Sequence, residues 1–135
     1  MNKQKGFTII ELIVVVAIIA ILAAIILLNQ VAYIKGAKAA KIKSDFVNIA
    51  FGMSGCYAST GTYAGCILND TYVSSKARSD VSDQGGTIIY TNPATTAYCA
   101  SSVLPSGGNV CIDSTGVTKS SASSICLTSI SACPN

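Results

Sequence analysis

Hydrophobic positions are distributed along this chain in two unlike ways. Residues 12–28 are all Ala, Val, Ile or Leu, seventeen in succession, and across residues 7–28 only Thr8 and Glu11 interrupt the run. As a helix that stretch is about 33 Å long, enough to cross a hydrocarbon core of about 30 Å. Neither Gly nor Pro occurs between Phe7 and Lys35, so no helix breaker falls there. Further on the pattern turns amphipathic. Ile42, Phe46, Ile49 and Met53 fall within about 60° of one another on a helical projection, a stripe suited to packing on a globular body. Lys35 and Lys38 sit on the same face, so packing is expected to begin only near Ile42. Gly52 and Gly55 are expected to end the helix.

The remaining chain has another character. Beyond residue 55 it is rich in Ser, Thr, Gly, Asn and Tyr, with short β-branched runs. Residues 87–91 and 96–100 read as the two strands of a hairpin joined through Asn92 and Pro93. Residues 106–109 form a turn signal ahead of a strand at 110–112, and residues 113–116 a second turn before a weak strand at Val117 and Thr118. Residues 57–86 show little periodicity and are expected to be mostly loop, with a short helix near 74–79. The fold class is α+β: a long N-terminal helix, membrane-spanning in its first half, packed on a small antiparallel β head.

Composition narrows the function classes. Among 135 residues 50% are hydrophobic, only 11% are charged, and there is no His and no Trp. With one Glu and no His, the chain lacks the usual general-base pair, the His-plus-carboxylate metal cluster and the Ser-His-Asp triad. It is not expected to be an enzyme, and a cysteine nucleophile would have no His to activate it. No Gly-rich phosphate loop is present, the aspartates lack calcium-loop spacing, and no cofactor or metal is expected. The net charge of +3 comes from lysines near the apolar run, whereas residues from Ser44 onward carry three basic and five acidic side chains. Lys35, Lys38, Lys41 and Lys43 are spread around the helix, which reads as headgroup-level charge, and the head is not expected to bind nucleic acid.

All six cysteines, Cys56, Cys66, Cys99, Cys111, Cys126 and Cys133, follow the apolar run. An even count in a body of about eighty residues reads as a disulfide framework formed in an oxidising compartment. Zinc is the competing reading, but no pair has the C-x2-C spacing. Six cysteines allow fifteen connectivities. The gaps suggest sequential neighbours: Cys56 with Cys66, Cys99 with Cys111, Cys126 with Cys133. The lysines after the span, set against Lys3 and Lys5 before it, would by the positive-inside rule place the body in the cytoplasm. The cysteines place it outside, and they carry more weight.

The N-terminus resolves what kind of span this is. A carboxylate inside a membrane helix costs about 2.5–3.5 kcal/mol on insertion scales, so Glu11 calls for a partner. Gly6 followed by Phe7-Thr8-Ile9-Ile10-Glu11-Leu12, with Lys before and a long aliphatic run after, resembles the class III leader of type IV prepilins. Type IV pilins and the pseudopilins of type II secretion and competence systems share that leader. The resemblance implies cleavage after Gly6 by a prepilin peptidase and methylation of the new amine on Phe7. It implies a pilin-like fold and polymerisation through the N-terminal helix, with Glu11 and the Phe7 amine as assembly residues. The partners it implies are other copies or other pilins, the peptidase, a separate assembly ATPase and an inner-membrane platform protein. Residues 1–6 are then the leader, 7–30 the transmembrane and filament-core helix, 31–55 its amphipathic continuation, and 56–135 the Cys-rich head. The precursor would be a single-pass protein of the cytoplasmic membrane, the product an extracellular or envelope-spanning filament. A pseudopilin is the alternative within the family, and a monomeric membrane-anchored binding module the alternative outside it. Ala20 and Leu28 stand where many members carry Gly and Pro in the membrane helix.

Overall fold

The computed structural model describes residues 6–122, 125–126 and 132–133, so Lys3, Lys5 and the Ser-rich stretch 127–131 lie outside the described residues. Two units are distinguished, Met1–Ile34 and Lys35–Asn135. A single helix, α1 (Ile9–Thr60), runs through both. Then follow a 3-10 turn (Cys66–Leu68), α2 (Ser75–Asp83), and four strands: β1 (Ile88–Ala94), β2 (Ala97–Val103), β3 (Asn109–Asp113) and β4 (Thr118–Ser121). The class is α+β, with a long N-terminal helix and a small antiparallel sheet stapled by disulfides.

In the first unit α1 buries nothing. Every described side chain from Gly6 to Ile34 is exposed, including Ile10, Leu22 and Leu27 at 74%, 55% and 67%. Its length and composition are those of a membrane span.

In the second unit α1 has a core face. Ala39, Ile42, Phe46, Ile49, Met53 and Cys56 recur at intervals of three and four residues and are buried. They form one cluster with Tyr98 and Ala100 of β2, Val110 and Ile112 of β3, and Val73 and Val81. The sheet order is β1-β2-β3-β4, every pair antiparallel, with Ala100 opposite Ile112 and Ser101 opposite Cys111. Period-two alternation divides the central strands between two faces. Tyr98, Ala100, Val110 and Ile112 join the α1 cluster, while Cys99 and Cys111 form a second cluster with Cys126 and Cys133. Both faces are covered, which is why all five residues of β3 are buried.

Three expectations are corrected. The helix does not end at Gly52 and Gly55 but continues to Thr60, where Gly61 at φ 72 terminates it and donates its N–H to the Tyr57 carbonyl at 2.8 Å. The core stripe extends through Met53 and Cys56, and its burial outweighs the roughly 1 kcal/mol that each helical Gly costs. The first hairpin does not turn at Asn92 and Pro93. Both lie within β1, beside a register irregularity between Thr91 and Ala94, and Thr95 and Thr96 make the turn. Pro is tolerated there because β1 is an edge strand. Finally, only Cys56–Cys66 follows the sequential pairing. The other bonds are Cys99–Cys126 and Cys111–Cys133, with Cα separations of 5.7 and 5.8 Å.

Between α1 and β1, Arg78 organises a stretch with no hydrophobic period. One guanidinium nitrogen donates to the carbonyls of Ile67 and Val73, both at 2.6 Å, and another to Asp70 at 2.7 Å. The short helix expected near 74–79 is present as α2, opened by Ser74, whose hydroxyl accepts from the Lys76 N–H.

Gly52 is where this stretch meets α1. A Cβ there would collide with the Tyr72 carbonyl and lie 3.0 Å from Val73 Cγ2, whereas one on Gly55 would meet only Tyr72 Cδ1 at 3.9 Å. Gly52→Ala is therefore expected to destabilise the head by about 1–3 kcal/mol despite its gain in helix propensity. Gly55→Ala should be neutral or stabilising by up to about 1 kcal/mol. Denaturant unfolding of the oxidised protein compares the two, and equal stabilities would contradict the close approach.

Asp113 gives the head a pH dependence. Its buried carboxylate accepts from the backbone N–H of Cys133 at 2.8 Å and of Thr115 at 2.9 Å, and from the Thr115 hydroxyl. Burial pushes its pKa up, but these donors together outweigh burial and hold it below the ordinary carboxylate value. The stabilisation is thus present above the unfolded pKa of about 3.9 and lost as pH falls through the lower folded value. Unfolding free energy should fall below about pH 4. Asp113→Asn should lower stability at neutral pH and make that acid loss shallower, as measured by denaturant titration at several pH values.

Candidate functional site

The start of α1 is organised by two side chains. Thr8 is the residue before the first helical position, and its hydroxyl oxygen accepts from the Glu11 N–H at 3.3 Å. In return Glu11 Oε2 accepts from the Thr8 N–H at 2.9 Å and from the Thr8 hydroxyl at 2.8 Å. The Leu12 N–H closes the first turn on the Thr8 carbonyl at 3.3 Å. This is a reciprocal capping box, in which a Thr and a Glu three residues later satisfy donors that a helix start leaves open. Thr8 thus joins the site, and its signal is legible in the sequence as Thr-x-x-Glu ahead of an apolar run.

The arrangement changes the energetics of Glu11. It is not a bare carboxylate waiting for a charge, because it already holds neutral donors of its own chain. That lowers the cost of keeping it at the membrane end of an aliphatic helix, while among the described residues no ion pair meets its formal charge. Upstream, Phe7 is 80% exposed and open space surrounds Gly6, so the Gly6–Phe7 peptide bond is accessible. Gly6, Phe7 and Glu11 lie within one turn of chain, at the end of a helix whose aliphatic side chains are exposed through Ile34.

The head offers little chemistry. A cavity of about 570 Å3 lies beside β1, lined by Ile67, Leu68, Ile88 and Tyr90 with Arg78 and Ser82. The Arg78 guanidinium is already engaged by Asp70 and two carbonyls, and among the described residues no carboxylate stands in the lining. The sulfurs of Cys99, Cys111 and Cys126 lie within 4.8 Å of one another, but each is taken up in a disulfide, whereas metal ligation requires the thiolate.

No curated protein and no solved structure matches the chain. A family model does: residues 1–27 match the prokaryotic N-terminal methylation motif, and the chain therefore carries the class III leader of the structural type IV pilins and pseudopilins.

Proposed function

We propose that this protein is a prepilin whose mature form polymerises through its N-terminal helix into a type IV pilus. The observation that carries the reading is the opening of α1. An accessible Gly6–Phe7 bond, one helical turn from a carboxylate, leads into an aliphatic helix whose described side chains are exposed through Ile34. The membrane supplies the first cover for that helix and fits an anchored precursor. Neighbouring copies supply the second, the heads being left outside. Residues 1–6 are the leader, 7–30 the filament-core helix, and the Cys-rich remainder the filament surface. Prepilin peptidase cleaves after Gly6 and the Phe7 amine is methylated. An assembly ATPase and a platform protein supply the work, since the chain has no nucleotide loop. The absence of His, with a single Glu committed to a helix cap, supports a structural subunit over an enzyme.

Cleavage turns an amide nitrogen at Phe7 into an ammonium. That ammonium stands near the positive end of the α1 macrodipole and needs a counter-charge. The Glu11 of a copy docking with an axial offset provides one, and charge neutralisation then sets the stagger between subunits. Because Glu11 retains its Thr8 donors, losing the pair should cost about 1.5–3 kcal/mol, tenfold to a hundredfold in an assembly step.

The capping box makes a sharp test available, because Gln can replace Glu in the cap but not in the charge pair. Glu11→Gln and Glu11→Ala should both be cleaved and inserted yet fail to form filaments, while Thr8→Val, which loosens the cap and keeps the charge, should still assemble. N-terminal mass spectrometry and electron microscopy of surface filaments read the two steps. Mature chains should begin with methylated Phe7, and Gly6→Ile should remain unprocessed. Normal filaments from Glu11→Gln would mean that Glu11 acts as a cap alone, and Met1 retained in wild-type filaments would overturn the prepilin reading.

A further inference from the structure

Four of the six cysteines form a cluster of their own on the sheet face turned away from α1. Cys99 belongs to β2, Cys111 to β3, and Cys126 and Cys133 to the C-terminal segment. The two disulfides, Cys99–Cys126 and Cys111–Cys133, lie in contact: Cys111 Sγ is 3.4 Å from Cys99 Sγ and 3.7 Å from Cys126 Sγ. Cys56–Cys66 stands apart from them, in the main hydrophobic cluster.

We propose that this four-sulfur cluster is a site of internal thiol–disulfide exchange, at which a low-molecular-weight thiol converts the Cys99–Cys126 and Cys111–Cys133 pairing into Cys99–Cys111 and Cys126–Cys133, releasing the C-terminal segment from the sheet. Entry is at Cys133, the most exposed of the four at 6%. A thiolate attacks Cys133 Sγ, forms a mixed disulfide there, and expels Cys111 as a thiolate. In the resting pair Cys111 Sγ is nearly equidistant from Cys99 and Cys126, broadside to their bond. Once its own bond is broken, rotation about χ1 brings it into line. Its attack on Cys99 forms Cys99–Cys111 and expels the Cys126 thiolate, which attacks Cys133 in the mixed disulfide. Cys126–Cys133 forms and the thiol is returned. Two protein disulfides are broken and two are made, with no net oxidation or reduction, so the thiol is a catalyst.

The two pairings differ in one mechanical respect. In the resting state both bonds tie the C-terminal segment to the sheet. After exchange Cys99–Cys111 joins neighbouring strands, Cys126–Cys133 closes the segment on itself, and no disulfide ties the segment to the sheet. What then holds the segment is hydrogen bonding: Cys126 N–H to Ser101 Oγ at 2.9 Å, Cys133 N–H to Asp113 Oδ2 at 2.8 Å, Asn109 Nδ2 to the Ala122 carbonyl at 2.8 Å, and Lys119 Nζ to the Cys133 carbonyl at 3.3 Å. These bonds favour the resting pairing, and the cluster works as a latch with a covalent and a non-covalent setting.

Trypsin reads the latch directly. Cleavage after Arg78 and Lys119 yields residues 79–119, with Cys99 and Cys111, and 120–135, with Cys126 and Cys133. Resting disulfides hold the two peptides together, and exchanged ones let them separate without reduction. The detergent-solubilised full chain is incubated with a reduced and oxidised glutathione mixture, quenched with acid, blocked with an alkylating agent and digested. Free 120–135 carrying an internal disulfide should rise from none, with no alkylated cysteine on 79–119 and Cys56–Cys66 intact. The variant Cys133→Ser leaves Cys111 as a thiol against Cys99–Cys126 and should release 120–135 with no added thiol. Cys111→Ser with Cys133→Ser should keep the peptides joined. Release of 120–135 only in step with alkylation of both Cys99 and Cys111 is plain reduction and overturns the proposal. So does a Cys133→Ser protein whose peptides stay wholly joined.

Discussion

An aliphatic helix whose described side chains are exposed is the constraint from which the other features follow. From Ile9 to Ile34 no described side chain of α1 is buried, and each fully exposed Leu, Ile or Val forgoes about 1.5–3 kcal/mol of burial in water. Over a stretch of this length no small head could offset that cost. Lipid relieves it for a precursor. In the proposed filament a bundle of like helices would relieve it outside the bilayer by burying the same apolar surface. The polar groups at the start of the helix are Thr8 and Glu11. Their reciprocal cap lets the helix begin cleanly, and in the proposed filament the carboxylate charge is what the Phe7 ammonium would meet.

The main core of the head is built from residues of the second unit. Its hydrophobic cluster occupies one face of a four-stranded sheet. The other face is covered by a layer of four half-cystines. Sulfur therefore stands where a larger domain would place a second apolar layer, a common solution in chains too short to build one. Bonds spanning 10, 27 and 22 residues each add about 2–4 kcal/mol by restricting the unfolded chain. Asp113 ties that layer to the turn after β3 through Cys133 and Thr115, so acid weakens the same seam that reduction would open.

Much of this was legible in residues. Seventeen successive aliphatic positions and the stripe Ile42, Phe46, Ile49 and Met53 give both halves of α1, since burial enforces those periods directly. The turn signals at 106–109 and 113–116 place β3 and β4, and the leader at Gly6, Phe7 and Glu11 is readable as a motif. What was misread depends on contacts distant in sequence. Gly52 looks like a stop until the Tyr72 carbonyl is seen against it. The pairing of Cys99 and Cys111 looks local until Cys126 is found bonded to Cys99 and Cys133 to Cys111. Arg78 orders the region after α1 through carbonyls, which leave no hydrophobic pattern to detect. The cap formed by Thr8 was present as a local signal, hidden because Glu11 reads first as a charge and only second as a hydrogen-bond acceptor.

The central claim is that the charge of Glu11 is met by the Phe7 amine of another copy. Filaments assembled from a mixture of subunits, one labelled with 15N at Phe7 and the other with 13C at the Glu11 carboxyl, isolate that contact by solid-state NMR dipolar recoupling. The account predicts an intermolecular nitrogen–carbon separation of about 4 Å, the range at which opposite charges shift each other's ionisation. A Glu11 carboxyl carbon that shows no dipolar contact with the Phe7 nitrogen of a neighbouring copy would contradict it.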